Sequence, residues 1–549
     1  MSASQKKKLR NEQNAVQMTE KQIAEQKEAK KLHMYTVIFS VAIVLMLCVV
    51  LFTTVAESGV IQRHTTAATV GDHEISAPEL NYYYIDAINN FQREWGEAFL
   101  FSGITLDTPL DEQVYNEESG ETWADFFLDQ ATNTMLHTYA LYNAAVADNY
   151  SIDTEASAEI ENMLRSTELQ AMMNTGVKDL KAYLKTVYGT GANEESFRHY
   201  VEVQYLASQY AMDHMESLTY TPEQLRAKDS EDPTLFNAYT WNHHYLSATS
   251  FLAGGTKDDE GIVTYSDEER AAAAAEAKKV AESVLAQDIH TVADLDSALA
   301  GLEIYAGDPP KSVENKDRPK SQIPESMAEW ITDADRRAGD VTLIPNETTT
   351  TDADGNTTTT VSGYYVVLFG GVNDNNIKLS NVRHILVKFE GGTKDDATQT
   401  ILYSDDEKDK ARAEAEGILA QFKAGDATEE AFAALATEKT DDTGSAANGG
   451  LIEHILPTSN LVPSFRDWAV DASRKAGDTD IIESQYGYHV MYYVGDSELN
   501  YRDTMVQNSL INEDMAAWED ALVKPVSAEV TNKKYVALDL VIPSSNQVQ

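Results

Sequence analysis

An internal duplication constrains the fold of this chain more than any other feature of its sequence. Three matches recur 138 positions further along: Tyr265-Ser-Asp-Glu-Glu269 as Tyr403-Ser-Asp-Asp-Glu407, Trp330 as Trp468, and Ala338-Gly-Asp340 as Ala476-Gly-Asp478. A constant offset over so long a stretch indicates a duplicated domain. Each copy has the pattern of a strand, a long helix, shorter helices and a closing hairpin, which predicts two tandem α+β domains, each an antiparallel sheet with surrounding helices.

The N-terminal region predicts a membrane anchor. Tyr35–Val55 contains no charged residue, and a helix of this length spans roughly 30 Å, the thickness of the hydrocarbon core. Lys6-Lys-Lys8 and Lys30-Lys31 precede it, which favours a cytoplasmic N-terminus and an extracytoplasmic position for the rest of the chain. A cleaved signal peptide is the alternative, although its apolar core is usually shorter.

Charge and cysteine content exclude several classes of site. The formal net charge is −46, and so acidic a protein is not expected to bind nucleic acid, which requires a basic surface. Cys48 is the only cysteine and lies within the apolar run, so an internal disulfide or a cysteine metal site is excluded.

A helical module is predicted between the anchor and the first copy. Ser76 precedes Pro78 and is expected to cap a helix. The segments 122–150, 153–174 and 193–217 have apolar residues at helical spacing. Their tyrosines and methionines, including Asn81-Tyr-Tyr-Tyr84, are interpreted either as core or as a surface that binds client polypeptides. A final helix at 501–522 and a strand at 536–542 complete the pattern.

The second copy carries residues that the first copy lacks. His384 lies in Asn381-Val-Arg-His-Ile-Leu-Val-Lys-Phe389 and His489 in Tyr486-Gly-Tyr-His-Val-Met491. Between them are the loop Thr440-Asp-Asp-Thr-Gly-Ser-Ala-Ala-Asn-Gly-Gly450 and the apolar segment Leu461-Val-Pro-Ser-Phe465. In this order the segments resemble a parvulin-type peptidyl-prolyl cis/trans isomerase domain. The layout of the whole chain is similar to that of extracytoplasmic foldases of the PrsA/SurA group.

The resemblance implies a role for each matched residue. The expected catalytic group is His384 and His489 at the floor of the site, Asp442 beside the rotating amide, and Ser484 in the histidine network. Leu461 and Phe465 would line the proline pocket, with Tyr488 flanking it. Where the family commonly continues Gly-Gly with Asp-Leu-Gly, this chain has Leu451-Ile-Glu-His454. One rim of the site is therefore expected to differ.

Prolyl isomerisation requires neither a metal nor a cofactor. The barrier of roughly 18–20 kcal/mol arises from amide conjugation. A catalyst lowers this barrier by holding the proline ring in an apolar pocket and favouring the twisted, less conjugated amide. We therefore expect no cofactor in this site.

The first copy is expected to be catalytically silent. His244 is aligned with His384, while Tyr365 takes the place of His489. Ile323 and Met327 keep the apolar character of the pocket. His243-His244 could suggest a metal site, but adjacent residues on a strand point to opposite faces, so no metal is expected there.

These observations predict a membrane-anchored extracytoplasmic foldase. Its expected clients are unfolded or proline-containing secreted polypeptides, and its oligomeric state is left open. The alternatives are a non-catalytic holdase or scaffold, and an assembly factor for one surface complex. The expected regions are a polar cytoplasmic tail (1–33), an anchor (34–56), a helical chaperone-like domain (64–236), a degenerate parvulin-like domain (239–373), an isomerase domain (379–497) and a C-terminal helix and strand (498–549).

Overall fold

The computed structural model describes residues 2–13, 34, 39–51, 53–55, 58–257, 261–351, 357–395 and 400–542. Within these residues, no helix reaches the combination of length and hydropathy that a bilayer crossing requires. Parts of the predicted tail and anchor, residues 1, 14–33, 35–38, 52 and 56, lie outside the described residues.

The chain contains both helices and antiparallel sheets, as the sequence predicts. The helices are α1 (Ala3–Gln13), α2 (Val60–Arg63), α3 (Ala77–Trp95), α4 (Trp123–Ala147), α5 (Thr154–Thr175), α6 (Leu180–Val187), α7 (Glu194–Ser217), α8 (Pro222–Glu231), α9 (Asp267–Leu285), α10 (Val292–Ala300), α11 (Glu325–Ile331), α12 (Asp405–Ala424), α13 (Glu429–Lys439), α14 (Pro463–Ala469) and α15 (Tyr501–Val523). The strands are β1 (Thr66–Val70), β2 (His73–Ser76), β3 (Val114–Asn116), β4 (Glu121–Thr122), β5 (Ala238–Ser247), β6 (Thr256–Lys257), β7 (Val263–Thr264), β8 (Val313–Pro319), β9 (Val341–Thr351), β10 (Thr357–Asn373), β11 (Ser380–Lys388), β12 (Thr393–Lys394), β13 (Ile401–Leu402), β14 (Leu451–Ile455), β15 (Thr479–Glu483), β16 (Gly487–Asp496) and β17 (Ala528–Val530).

The chain divides into two compact units. Met1–Leu218 and Glu513–Gln549 form the first unit, and Thr219–Asn512 form the second. The first unit therefore combines two segments that are distant in sequence, whereas the second is continuous.

Side-chain N-caps mark the starts of several helices of the first unit. The Ser76 hydroxyl accepts a hydrogen bond from the Glu79 amide at the start of α3. Thr122 and Asn193 form capping boxes at the starts of α4 and α7, and Asp153 caps α5. Each cap satisfies an amide that the first turn leaves unpaired. The predicted helices and their start positions are confirmed.

The aromatic run on α3 is part of the core. Tyr82, Tyr83 and Tyr84 are all buried, and Tyr82 packs edge-on against Phe197 of α7. The Tyr82 hydroxyl lies 2.8 Å from Ser196 Oγ. Of the two interpretations of these tyrosines, the structure supports the core.

Asn81 connects α3 to the C-terminal segment of the first unit. Its side-chain nitrogen donates to the Tyr535 carbonyl at 3.1 Å, and its oxygen accepts from the Ala537 amide at 3.0 Å. These bonds hold 535–537 in an irregular conformation, so the predicted strand at 536–542 is wrong. The strand in this region is β17, which pairs antiparallel with β1 through Ala68 and Val530.

The second unit contains two four-stranded antiparallel sheets of the same topology. The first has the order β8-β5-β10-β9 and the second β14-β11-β16-β15. In each sheet the opening strand of the copy pairs with the closing strand, and each sheet buries apolar side chains on both of its faces.

Side chains alternate between these two faces. In the second sheet, Val490 and Tyr492 of β16 pack against α12 and α13. Met491 and Tyr493 belong to the opposite cluster with Phe465 and Trp468 of α14. Because His489 has the same parity as Met491, it belongs to the α14 face.

Candidate active site

The two histidines of the second copy meet because of the register between β11 and β16. Leu386 lies opposite His489, and His384 lies opposite Met491. His384 and His489 are therefore diagonal neighbours on the same face of an antiparallel pair, close enough for their side chains to meet. Each residue is only 5% exposed.

A continuous hydrogen-bond network joins the predicted catalytic residues. The Nδ1 atoms of His384 and His489 are 3.2 Å apart. His384 Nε2 lies 3.0 Å from Asp442 Oδ2, and His489 Nε2 lies 2.9 Å from Ser484 Oγ. The network thus runs from a buried hydroxyl through two imidazoles to a carboxylate.

The electrostatics of the site keep both imidazoles neutral. Burial lowers the pKa of His384, although Asp442 opposes the shift. Burial and the neighbouring His384 lower the pKa of His489 to about 4. Burial alone would raise the pKa of Asp442, but hydrogen bonds from the Ser445 hydroxyl and the Gly444 amide, together with His384, hold it below its ordinary value.

These protonation states assign a direction to the network. An ionised Asp442 only accepts hydrogen bonds, so a neutral His384 donates to it from Nε2 and has a bare Nδ1. That Nδ1 accepts from His489 Nδ1–H, which leaves His489 Nε2 to accept from the Ser484 hydroxyl. Each hydrogen bond from Ser484 through His489 and His384 is therefore donated in the direction of Asp442, which is the anion of this network.

The loop that carries Asp442 is held against β11 by backbone contacts. The Asp441 amide donates to the Leu386 carbonyl at 2.8 Å, and the Thr440 hydroxyl accepts from the Leu386 amide at 3.0 Å. At the far end of the loop, the His384 amide donates to the Gly450 carbonyl. Gly450 has a φ of 72°, and a Cβ there would lie 2.1 Å from the His384 carbonyl oxygen. Only glycine allows this approach.

Ser445 is a member of the network that the sequence analysis missed. It is buried, its hydroxyl donates to Asp442 Oδ2 at 2.6 Å, and its Oγ lies 3.2 Å from His384 Nε2. Ser445 follows Asp442 by three residues within a glycine-rich loop. A hydroxyl that close to a carboxylate in a turn is a signal that could have identified it.

Apolar side chains form one wall beside the histidines. The Phe465 ring meets both imidazoles edge-on, with centroid distances of 5.1 Å to His384 and 5.4 Å to His489. Leu461 is partly buried and packs on the cluster that contains Phe465 and Met491. Asp442 remains partly accessible, with 32% of its side chain exposed, so the network opens to solvent at its carboxylate end.

Tyr488 does not flank this site, which corrects the expectation for that residue. It precedes His489 on β16 and therefore faces the other side of the sheet. Its ring packs against Phe389, and its hydroxyl donates to Glu483 Oε2 at 3.1 Å.

The rim that departs from the family pattern is a strand. Leu451–Ile455 form β14, which pairs with β11 along the edge of the sheet. His454 adopts a φ of 57°, and its amide donates to Asn381 Oδ1.

The first copy places a different histidine at the equivalent position from the one expected. His243 lies opposite Val367 as His384 lies opposite Met491, and Tyr365 occupies the position of His489. The rings of His243 and Tyr365 are 5.7 Å apart. His244 faces the other side of the sheet, where its Nε2 lies 2.7 Å from the Tyr305 hydroxyl. The alignment of His244 with His384 is therefore wrong by one residue.

The lowered pKa of His489 predicts that the free energy of unfolding of the second copy decreases in acid. Between pH 6.5 and about 4, the unfolded chain protonates this histidine and the folded chain does not. The contribution of His489 to the free energy of unfolding is therefore fully present above pH 6.5. It is lost as the pH falls to about 4, and the loss is on the order of 3 kcal/mol. Urea denaturation of the whole chain at several pH values measures the slope. In His489→Asn, which cannot titrate, the loss between pH 6.5 and 4 should be smaller. If the free energy of unfolding depended on pH equally in His489→Asn and in the wild type, the lowered pKa of His489 would be contradicted.

Comparison with known proteins agrees with this geometry. Residues 384–495 match the rotamase family, described as the PPIC-type PPIase domain. The chaperone SurA from Pseudomonas fluorescens (strain Pf0-1) is 33% identical over 147 residues, which cover 25% of this chain and 30% of the relative. SurA from Methylococcus capsulatus is 27% identical over 154 residues, or 28% of this chain and 30% of the relative. The chain thus spans about 30% of the length of these curated relatives.

Two solved structures are similar over different parts of the chain. The peptidylprolyl isomerase PrsA from Bacillus anthracis has 20% identity, covers 28% of this chain and 59% of its own, and has a TM-score of 0.17. PrsA from Bacillus subtilis has 11% identity, covers 75% and 90%, and has a TM-score of 0.25. The sequence match alone, which begins at His384 and includes His489, identifies the second copy: residues 384–495 belong to the PPIC-type PPIase family of parvulin-type rotamases.

Proposed function

We propose that this chain is a foldase whose second copy isomerises X-Pro bonds in unfolded polypeptides. The observation that supports the proposal best is the buried network of His384, His489, Asp442 and Ser484 beside the Phe465 ring. The match of residues 384–495 to the PPIC-type PPIase domain supports the same activity.

The proposed mechanism is non-covalent. The proline ring of the substrate packs against Leu461 and Phe465, and the preceding carbonyl lies near Asp442. In the planar amide, conjugation makes the carbonyl oxygen more negative than it is in the twisted state. A neighbouring carboxylate therefore disfavours the planar ground state more than the twisted transition state. The neutral imidazoles hold this carboxylate in place without neutralising it.

Removal of the carboxylate should slow isomerisation without unfolding the domain. A lost hydrogen bond to a charged group is worth about 1.5–3 kcal/mol, which corresponds to about a tenfold to hundredfold loss of kcat/KM. We expect this loss for Asp442→Ala in the whole chain, measured on a proline-containing tetrapeptide. His489→Ala should lose less, about twofold to tenfold, because its hydrogen bonds join neutral groups. Phe465→Ala should mainly raise KM.

Tyr488→Phe is the matched control, because Tyr488 neighbours His489 in sequence but faces the other side of the sheet. Its activity should stay within about twofold of the wild type. If Asp442→Ala and His489→Ala both retained full turnover, or the wild type had none, the non-catalytic holdase would replace the isomerase.

We propose that the first copy holds clients without isomerising them. Tyr365 occupies the position of His489, so the second imidazole is missing, and the Asn315 side-chain nitrogen lies 3.1 Å from His243 Nδ1. Ile323 and Met327 still provide buried apolar side chains beside these residues.

The helical unit provides a candidate surface for holding unfolded chains. Exposed apolar side chains lie along α5: Met163, Leu169, Met172 and Met173. Met173 is 76% exposed. Flexible methionines adapt to apolar partners of varied shape.

Charge placed in this surface should weaken holding. We expect Met172→Asp/Met173→Asp to suppress the aggregation of a chemically unfolded client less effectively than the wild type, as measured by light scattering. Ser157→Asp introduces a charge at an exposed position near the start of the same helix and should leave the suppression unchanged. Equal suppression by the double variant would exclude this surface.

We propose that the uncharged run Tyr35–Val55 anchors the protein in a membrane, with the bulk of the chain outside the cytoplasm. The support is the apolar sequence and the preceding lysines. Deletion of residues 34–56 should move the protein from the carbonate-resistant membrane fraction to the supernatant. Retention of the deleted form in the membrane fraction would contradict the anchor.

A further inference from the structure

A cavity of about 520 Å³ lies in the first unit, close to the C-terminal end of the uncharged run Tyr35–Val55. It is lined by Ser58, by residues of α2 and α6, and by the start of α7. The Ser58 amide donates to the Thr54 carbonyl at 3.0 Å, which is the i→i−4 bond of a helix. The cavity therefore begins about one helical turn beyond the end of the run.

The backbone that follows Ser58 packs closely on the turn between α6 and α7. Gly59 has a φ of 73°, and a Cβ at this position would lie 2.5 Å from the Gly191 Cα. Only glycine allows this approach. Arg63 of α2 reaches the same turn, where its guanidinium donates to the Gly191 carbonyl at 3.2 Å. These contacts fix the cavity beside the end of the uncharged run.

Cations are concentrated at this cavity, although the region around it is acidic. Residues 58–218 contain seven Lys or Arg against 26 Asp or Glu. Three of the seven, Arg63, Lys181 and Lys185, line the cavity. Lys181 and Lys185 are four residues apart on α6, so they lie on the same face of the helix. Both are exposed, and among the described residues no carboxylate forms an ion pair with either.

Two carboxylates, those of Glu194 and Glu195, also line the cavity. Glu194 lies 3.8 Å from the Arg198 guanidinium, one turn further along α7. The lining thus carries three positive and two negative side chains. Their sum is one positive charge, which complements the single negative charge of a phosphodiester.

The proposed anchor places this cavity at a defined depth. In that anchor, Val55 marks the edge of the hydrocarbon core. Ser58 is three residues further on, and a rise of about 1.5 Å per residue places it roughly 4.5 Å beyond that edge. The polar layer on each side of a bilayer is roughly 5–7 Å thick, so the cavity opens among the lipid headgroups. Val60 and Ile61 of α2 are exposed apolar side chains, which suits a surface at the boundary with the acyl chains.

We propose that this cavity binds the headgroup of an anionic phospholipid from the membrane that the anchor enters, with the phosphodiester held by Arg63, Lys181 and Lys185. The inference rests on the proposed anchor, because the anchor is what brings the cavity to the bilayer surface. An anionic membrane surface repels a protein with a net charge of −46, and cations at the point of closest approach offset that repulsion. The bound lipid then holds the first unit against the bilayer.

Native mass spectrometry of the whole chain in a non-ionic detergent tests this site. The protein is titrated with dioleoyl-phosphatidylglycerol, and the affinity for the first bound lipid is measured. Lys181→Gln/Lys185→Gln removes two of the three cations and should weaken this binding about tenfold or more. Dioleoyl-phosphatidylcholine, which has no net charge, should bind to the wild type about tenfold more weakly than phosphatidylglycerol.

Arg165→Gln/Lys178→Gln is the matched control, because it removes the same charge from two exposed positions outside the cavity. Its affinity for phosphatidylglycerol should stay within about twofold of the wild type. Both double variants replace exposed side chains, so their thermal unfolding should match that of the wild type.

Three results would overturn the proposal. They are equal binding of phosphatidylglycerol by Lys181→Gln/Lys185→Gln and the wild type, equal binding of the two lipids by the wild type, and binding of inorganic phosphate through the same lysines as tightly as the lipid. The last result would assign the site to free phosphate. Failure of the anchor itself would appear in the carbonate extraction and not in this titration, which needs no bilayer, so the two failures are distinguishable.

Discussion

The hydrogen bond between His384 and His489 requires that one of the two facing Nδ1 atoms be unprotonated. Two protonated rings would have only donors facing each other, at an Nδ1–Nδ1 distance of 3.2 Å in a buried niche. Burial removes the charge, and the ionised Asp442 then selects the tautomer of His384 and, through it, that of His489. The Phe465 ring packs edge-on against both imidazoles, and both histidines are buried. The anion is therefore left at the solvent-facing end, where a substrate can reach it.

The two copies share one sheet topology and differ at a position that the histidine pair requires. Both sheets have the same strand order and a histidine at the equivalent position of the opening strand, His243 or His384. Tyr365 in place of His489 removes one imidazole from the first copy. The sheet keeps its topology with this change, because Tyr365 lies on β10, which pairs with β5 on one side and β9 on the other.

Local chemistry was predictable from the sequence, whereas strand register was not. Ser76, Thr122, Asp153 and Asn193 identify helix starts because a cap acts within three residues. The four segments of the second copy were sufficient to bring together His384, Asp442, His489 and Ser484. The assignment of His244 failed because a shift of one residue moves a side chain to the other face.

Tyr488 was misplaced for the same reason, since it was grouped with the residue beside it in sequence although alternation separates the two. The role of Ser445 depends on the three-dimensional course of its loop, which no periodic pattern encodes. The C-terminal strand was assigned to apolar residues 536–542, but long-range bonds from Asn81 fix that segment in another conformation.

Those bonds from Asn81 have a consequence for the order of folding. They join positions 454 and 456 residues apart, and β17 likewise completes a sheet that begins at β1. During synthesis, the continuous second unit is therefore available to fold while the first still lacks a strand. Once folded, that unit brings its own two ends together, because Tyr220 and Leu510 pack on one apolar cluster. The loop that the first unit must close is then shorter than its residue count implies, so the entropy cost of its closure decreases.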